Sequence, residues 1–390
     1  AASSIKLHAD ETSHISEDAF QRQAILFIGS LMPIAILPFV TNGNLSSIHW
    51  TLLPLEWMLK LSIALYSLLT LRGYYIWQRG PLPLAKDNSA KYIQVKGPST
   101  KDRTIEYYVY GSDKEDATPL VLLHGSGTTG KHFNQYSHPE HVLKELNVKA
   151  ISPSFPGHGG SDPYNYRRIT DWPITDLIPI LQAENVADDQ KFIVIGTSYG
   201  TSHAMATASA LPERVLGVGL NAPYLPEKIC REAQVWTDAD MILREEKLEK
   251  PWILLPVLAI FGFVQGLIPT AICSYPEGKK VVNEKPELFE ILKKDAARSF
   301  LRGVNGQVYE MLNAETTQTW PDPRQIKVKN IALWYAMDDS IVPPDHGIWL
   351  ELSLKKGRNL NVKREKNGLG HFTFLDTDAA MLRTLMEMLK

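Results

Sequence analysis

The chain has 390 residues, of which 44% are hydrophobic and 22% charged, with a formal net charge of -2. That length exceeds what one ordinary core takes, so a large domain with attachments is expected. Near-neutral charge, with basic residues scattered rather than striped along one face, excludes the electrostatic footprint of a nucleic-acid binder.

Two cysteines, Cys230 and Cys273, are too few for a disulfide framework, and a reducing compartment is the plainer reading. Neither CxxC nor HExxH occurs, so no zinc site is indicated and no cofactor is expected.

Residues 1–23 form a polar segment, with Asp10, Glu11, Glu17 and Asp18 against Lys6 and Arg22. Residues 24–80 are apolar. Ala24 to Val40 carries no charge but is interrupted by Pro33 and Pro38, and Thr51 to Leu71 carries Glu56 and Lys60, four residues apart. A bilayer takes about 20 predominantly apolar residues, so each stretch alone is marginal. Joined by an uncharged connector, they are expected to form a membrane hairpin; the alternative is a pair of buried or surface-lying amphipathic helices. No basic segment precedes the first run, which argues against a signal peptide. Arg72, Arg79, Lys86, Lys91 and Lys96 follow the second stretch, so the positive-inside rule places the downstream domain on the cytosolic side.

From about residue 90, short β-branched and apolar runs alternate with helical patterns. Lys91–Val95, Ile105–Tyr110, Leu120–Leu123, Val148–Ser152, Phe192–Ile195, Leu216–Leu220, Ile331–Tyr335 and Asn361–Arg364 predict eight strands. The intervening helical patterns imply crossovers and a mainly parallel sheet, an α/β fold. About 110 residues separate Leu220 from Ile331, more than a connection within a sheet requires. This gap holds Trp252 to Ile272, a run of 21 residues without a charge. A helical cap is therefore expected at 223–327, inserted into a core of 90–222 and 328–390.

The central chemical signal is Gly196-Thr197-Ser198-Tyr199-Gly200, which follows the strand at Phe192–Ile195 and precedes the Ala- and Met-rich stretch from Ser202 to Ala210. In a sharp strand-to-helix turn the serine backbone is strained, and glycines two positions to either side prevent clashes. A serine hydroxyl is a weak nucleophile until a base takes its proton, so this serine needs a basic partner elsewhere in the chain.

With its strand before and helix after, this elbow resembles that of the α/β-hydrolase superfamily, specifically its serine hydrolases. The resemblance implies an α/β-hydrolase fold, with an eight-stranded sheet flanked by helices. It extends over about residues 90–222 and 328–390. Plant and protist members carry comparable apolar caps. Asp338-Asp339-Ser340-Ile341-Val342-Pro343 resembles the family's acid loop, in which an Asp stands four residues before a Pro. That spacing selects Asp339 and leaves Asp338 as a turn residue. Gly368-Leu369-Gly370-His371-Phe372 is similar to the histidine loop, so the resemblance implies a triad of Ser198, Asp339 and His371.

The backbone N–H of Tyr199 is one expected oxyanion donor. By resemblance, Ser126 in His124-Gly125-Ser126-Gly127 supplies the other. Gly125 and Gly127 let the backbone approach the substrate, and His124 is expected to order the loop. Pro156-Gly157-His158-Gly159-Gly160-Ser161 also resembles a family loop, but the family usually has Asp two residues before that Pro, where this chain has Ser154.

Serine at the elbow argues against the family's epoxide hydrolases and dehalogenases, which place Asp there. Acyl transfer through an acyl-serine remains. The expected substrate is a small-molecule or lipid ester, the apolar run and hairpin tilting towards an apolar acyl group near a membrane. Two alternatives stand beside it. His371-Phe372-Thr373-Phe374-Leu375-Asp376 reads H-x-x-x-x-D, a pattern of lysophospholipid acyltransferases. A non-catalytic receptor or scaffold on the same fold is the other.

Overall fold

In this computed structural model the described residues are 53–78, 82, 87–97, 102–131, 133–164, 168–226, 229–230, 251–264, 275–307, 310 and 320–390. The chain separates into two compact units, residues 1–75 with 246–260 and residues 76–245 with 261–390.

The smaller unit holds most of helix α1 (Leu53–Gln78), in which Tyr66 donates a hydrogen bond to the Trp252 carbonyl. The expected spanning hairpin is corrected on this side. Among the described residues no helix is long and apolar enough to cross a membrane. Although α1 has 26 residues, Glu56, Lys60, Arg72 and several hydroxyl side chains dilute its apolar content. The first expected stretch, 24–40, lies outside the described residues.

The larger unit is built on one sheet. Its strands are β1 (Lys91–Lys96), β2 (Asp102–Gly111), β3 (Thr118–Leu123), β4 (Val148–Pro153), β5 (Phe192–Thr197), β6 (Val215–Asn221), β7 (Asn330–Ala336) and β8 (Asn359–Glu365). They lie in the order β1-β2-β4-β3-β5-β6-β7-β8. Pairings β1–β2 and β2–β4 are antiparallel and the others parallel, so the expected eight strands and mainly parallel sheet are observed.

Central strands are apolar on both faces, as crossover helices require. Leu120 and Leu122 of β3 join Ile193 and Ile195 of β5 in one core, whereas Val121, Leu123, Phe192 and Val194 belong to the other. Between β3 and β5 lie the short helices α2 (Phe133–Tyr136), α3 (Glu140–Glu145) and α4 (Ile178–Ala183). Helix α5 (Gly200–Ala210) follows β5 directly.

Three helices are described between β6 and β7: α6 (Pro251–Val264), α7 (Pro276–Glu284) and α8 (Pro286–Ser299). Polar groups fix α8 to β2 and to the loop after β3. Arg298 pairs with Glu106 and bonds the Tyr108 hydroxyl at 3.0 Å, and Asp295 accepts from Thr129. After β7 come α9 (Pro344–Leu354) and, following β8, α10 (Phe374–Met388).

Candidate active site

The elbow forms because of its two glycines. A Cβ on Gly196 would come within 2.4 Å of the Gly200 carbonyl oxygen, and one on Gly200 within 2.3 Å of the Leu123 carbonyl oxygen. Both positions therefore require glycine. The chain turns at Ser198 with φ of 52°, a left-handed conformation that costs a non-glycine residue of order 1–3 kcal/mol. The Ser198 amide is held by the Asn221 carbonyl at 2.8 Å, which anchors the strained residue to the end of β6.

His371 Nε2 lies 2.9 Å from Ser198 Oγ, and His371 Nδ1 lies 2.8 Å from Asp339 Oδ2. Since the carboxylate accepts, Nδ1 carries the ring proton and Nε2 is left to accept from the serine hydroxyl. Ser198, Asp339 and His371 thus come together although the acid lies 141 positions after the serine. Asp339 is fixed by the amides of Ile341 and Val342, both donating to Oδ1 at 2.9 and 2.8 Å. Asp338 instead accepts from the Gly368 amide at 2.7 Å, tying the acid loop to the histidine loop.

Burial disfavours a charged ring at His371. The Asp339 charge and hydrogen bond, helped by Glu277, outweigh it and hold the imidazole above the ordinary histidine value.

The loop after β3 reaches the serine. A Cβ on Gly125 would stand 3.3 Å from Ser198 Cβ, and Gly127 has φ of 72°. Tyr199 occupies the N-terminal cap of α5, where helix amides and dipole favour an anion. His124 is fully buried and accepts from the Phe155 amide through Nε2 at 3.0 Å, while Nδ1 donates to the Gly125 carbonyl at 2.8 Å. Burial, followed by the nearby His158, keeps its pKa well below the histidine norm, so it is a neutral clamp between two loops.

Three carboxylates escape sequence inspection. Glu106 on β2 accepts from Ser154 Oγ at 3.0 Å and from Arg298, and so sits beside the position where the family usually has Asp. Glu310 accepts from Ser126 Oγ at 2.7 Å and lies 2.8 Å from His158 Nε2. Glu277, in the first turn of α7, accepts from the Ser340 amide at 3.0 Å and from its hydroxyl. A charge-periodicity signal could not reveal them, because each meets a partner 48 to 192 positions away. Among the described residues no group of three or more His, Cys, Asp or Glu is placed to hold a metal ion.

Both ring nitrogens of His371 are engaged, Nδ1 by Asp339 and Nε2 by Ser198. Of the remaining histidines, His203 stacks on Phe155 with ring centroids 4.0 Å apart, and burial drives His138 down to about 3. Both are packing residues.

The alpha/beta hydrolase family model matches residues 120–384. The fold is also that of an esterase from Thermogutta terrifontis, at 15% identity and a TM-score of 0.56, covering 77% of this chain and 99% of that one. An enol-lactonase from Burkholderia xenovorans LB400 is similar at 15% identity and 0.54, with the same coverages. A bromoperoxidase from Bacillus anthracis is similar at 17% identity and 0.54, again over 77% and 99%. At such identities these neighbours speak to fold alone. No curated protein matches the chain.

Proposed function

Because this chain belongs to the alpha/beta hydrolase family, we propose that it hydrolyses carboxylic esters through an acyl-serine intermediate. The observation that carries this reading is the unbroken chain from Ser198 Oγ through His371 to Asp339, with links of 2.9 and 2.8 Å.

In the proposed reaction Ser198 Oγ attacks the ester carbonyl carbon while His371 Nε2 takes its proton. The tetrahedral oxyanion is received by the backbone N–H groups of Tyr199 and Ser126. It collapses, the C–O bond to the alcohol breaks, and His371 returns the proton to the leaving alkoxide. Water then repeats the sequence on the acyl-serine and releases the acid. Asp339 orients the imidazole and stabilises its charge without taking the proton.

The uncharged run from Trp252 to Ile272 favours an apolar, lipid-like acyl group. The acyltransferase reading rests on the H-x-x-x-x-D spacing alone. A non-catalytic role sits poorly with a complete proton relay.

The test is fluorophosphonate labelling of the wild type and Ser198→Ala, followed by esters of increasing chain length. Labelling confined to wild type, with a preference for longer acyl chains, is expected. An unlabelled wild type overturns the reading, and turnover that strictly requires a lysophospholipid acceptor replaces it by acyl transfer.

A further inference from the structure

Helix α7 lies in the insertion between β6 and β7, yet it holds both loops that carry the relay. Its Glu277 is 3% exposed and accepts from the Ser340 amide at 3.0 Å, with the Ser340 hydroxyl 2.8 and 2.7 Å from its two oxygens. Ser340 directly follows Asp339. The same carboxylate faces the histidine loop, since a Cβ built on Gly370 would stand 3.1 Å from Glu277 Oε1. One turn further along α7, Lys280 donates to the Asn367 carbonyl at the start of that loop.

We propose that Glu277 is a positioning residue for the hydrolytic relay, clamping the acid loop at Ser340 and presenting a second negative charge to the histidine loop at Gly370. This rests on the ester-hydrolase reading above and deepens it. Hydrogen bonds to Ser340 fix the backbone on which Asp339 is mounted. The charge itself acts on His371 through space and favours the imidazolium that forms as Ser198 gives up its proton. Asp339, at 2.8 Å, does most of this, and Glu277 adds to it from the side of the insertion. Other charges near these loops are Asp338, spent on the Gly368 amide, and Lys280, spent on Asn367. An ordinary acidic residue in a first helical turn would be exposed and would serve the helix dipole alone. Glu277 is buried and its hydrogen bonds go to another loop.

The test is the pH dependence of the rate at which a fluorophosphonate labels Ser198, in wild type, Glu277→Gln and Ser340→Ala. Glutamine still accepts from the Ser340 amide, so this change removes charge and little else. It is expected to lower the high-pH plateau roughly three- to tenfold while moving the acid limb to lower pH by about half a pH unit, because the imidazolium loses support. Ser340→Ala keeps the charge, so its plateau falls and its acid limb stays in place. A Glu277→Gln profile parallel to wild type, or unchanged, overturns the proposal. If Glu277→Gln does not fold, Glu277→Asp takes its place, and the expectation is then a wild-type acid limb with a reduced plateau; a displaced limb overturns it. Failure of wild type to label at all strikes the hydrolase reading instead, so the two failures are distinct.

Discussion

At the scale of single residues, the acid loop offers two adjacent aspartates with different work. Asp339 accepts a hydrogen bond from His371 Nδ1–H, whereas Asp338 accepts one from the Gly368 backbone amide of the histidine loop. Asp339→Asn removes the carboxylate that selects the Nδ1–H tautomer, and ester turnover is expected to fall by about 10³–10⁴. Asp338→Asn keeps an acceptor for Gly368 and is expected to cost less than about tenfold. Steady-state kinetics of both variants decides the matter, and equal losses would show that the loop acts as one unit. The four-residue spacing to Pro343 points to Asp339 through the resemblance to the family's acid loop, whose geometry is local: the amides of Ile341 and Val342 that hold the Asp339 carboxylate are two and three residues away. Glu277, Glu310 and Glu106 were illegible for the opposite reason. Each is an ordinary acidic residue in sequence and acquires its partner only when distant segments fold together.

At the scale of elements, the strands were legible but read short. Phe192–Ile195 extends to Thr197, and Asn361–Arg364 to Asn359–Glu365, because polar or small residues at strand ends still pair in the ladder although they break the apolar run. The polar helix α8 was less legible. Its charges suggest a solvated face, yet Arg298 is folded onto Glu106, whose side chain is 0% exposed, and onto Asp87 at 3.3 Å. Burial works against the Arg298 charge, but Glu106, then Tyr108 and Asp87, raise its pKa further. Such a pair contributes little net stability compared with apolar replacements, but removing one partner strands a buried charge. Arg298→Met is therefore expected to cost about 3–5 kcal/mol, and the double change with Glu106→Gln to recover a good part of it. Urea unfolding of the three proteins measures both. A double variant no more stable than the single one would mean that Arg298 stabilises through packing rather than by neutralising Glu106.

At the scale of the whole molecule, Asp295 couples stability to pH. It lies on α8 with 0% exposure and accepts from the Thr129 amide at 3.2 Å and from the Thr129 hydroxyl, in the loop that begins at His124. Burial pushes its carboxyl up to about 7 in spite of those hydrogen bonds and the Arg298 charge. The unfolded chain releases the same proton near 4. Between these values the folded state holds a proton that the unfolded state has lost, so stability declines as pH rises from about 4 to about 7 and levels off above. His371, also raised, contributes in the same direction: its share is full below the ordinary histidine value and is lost as pH climbs through the folded one. A wild-type decline alone therefore cannot be assigned to either group. Asp295→Asn separates them, because asparagine still accepts from the Thr129 amide and does not titrate, while His371 is common to both proteins. The melting temperature of Asp295→Asn minus that of wild type is expected to rise between pH 5 and pH 8 by a few degrees, on the order of 2–4 °C per kcal/mol for a domain of this size. A difference independent of pH would mean that Asp295 keeps one protonation state throughout. The anchorage of α8 to the His124 loop would then rest on its hydrogen bonds and ion pairs alone.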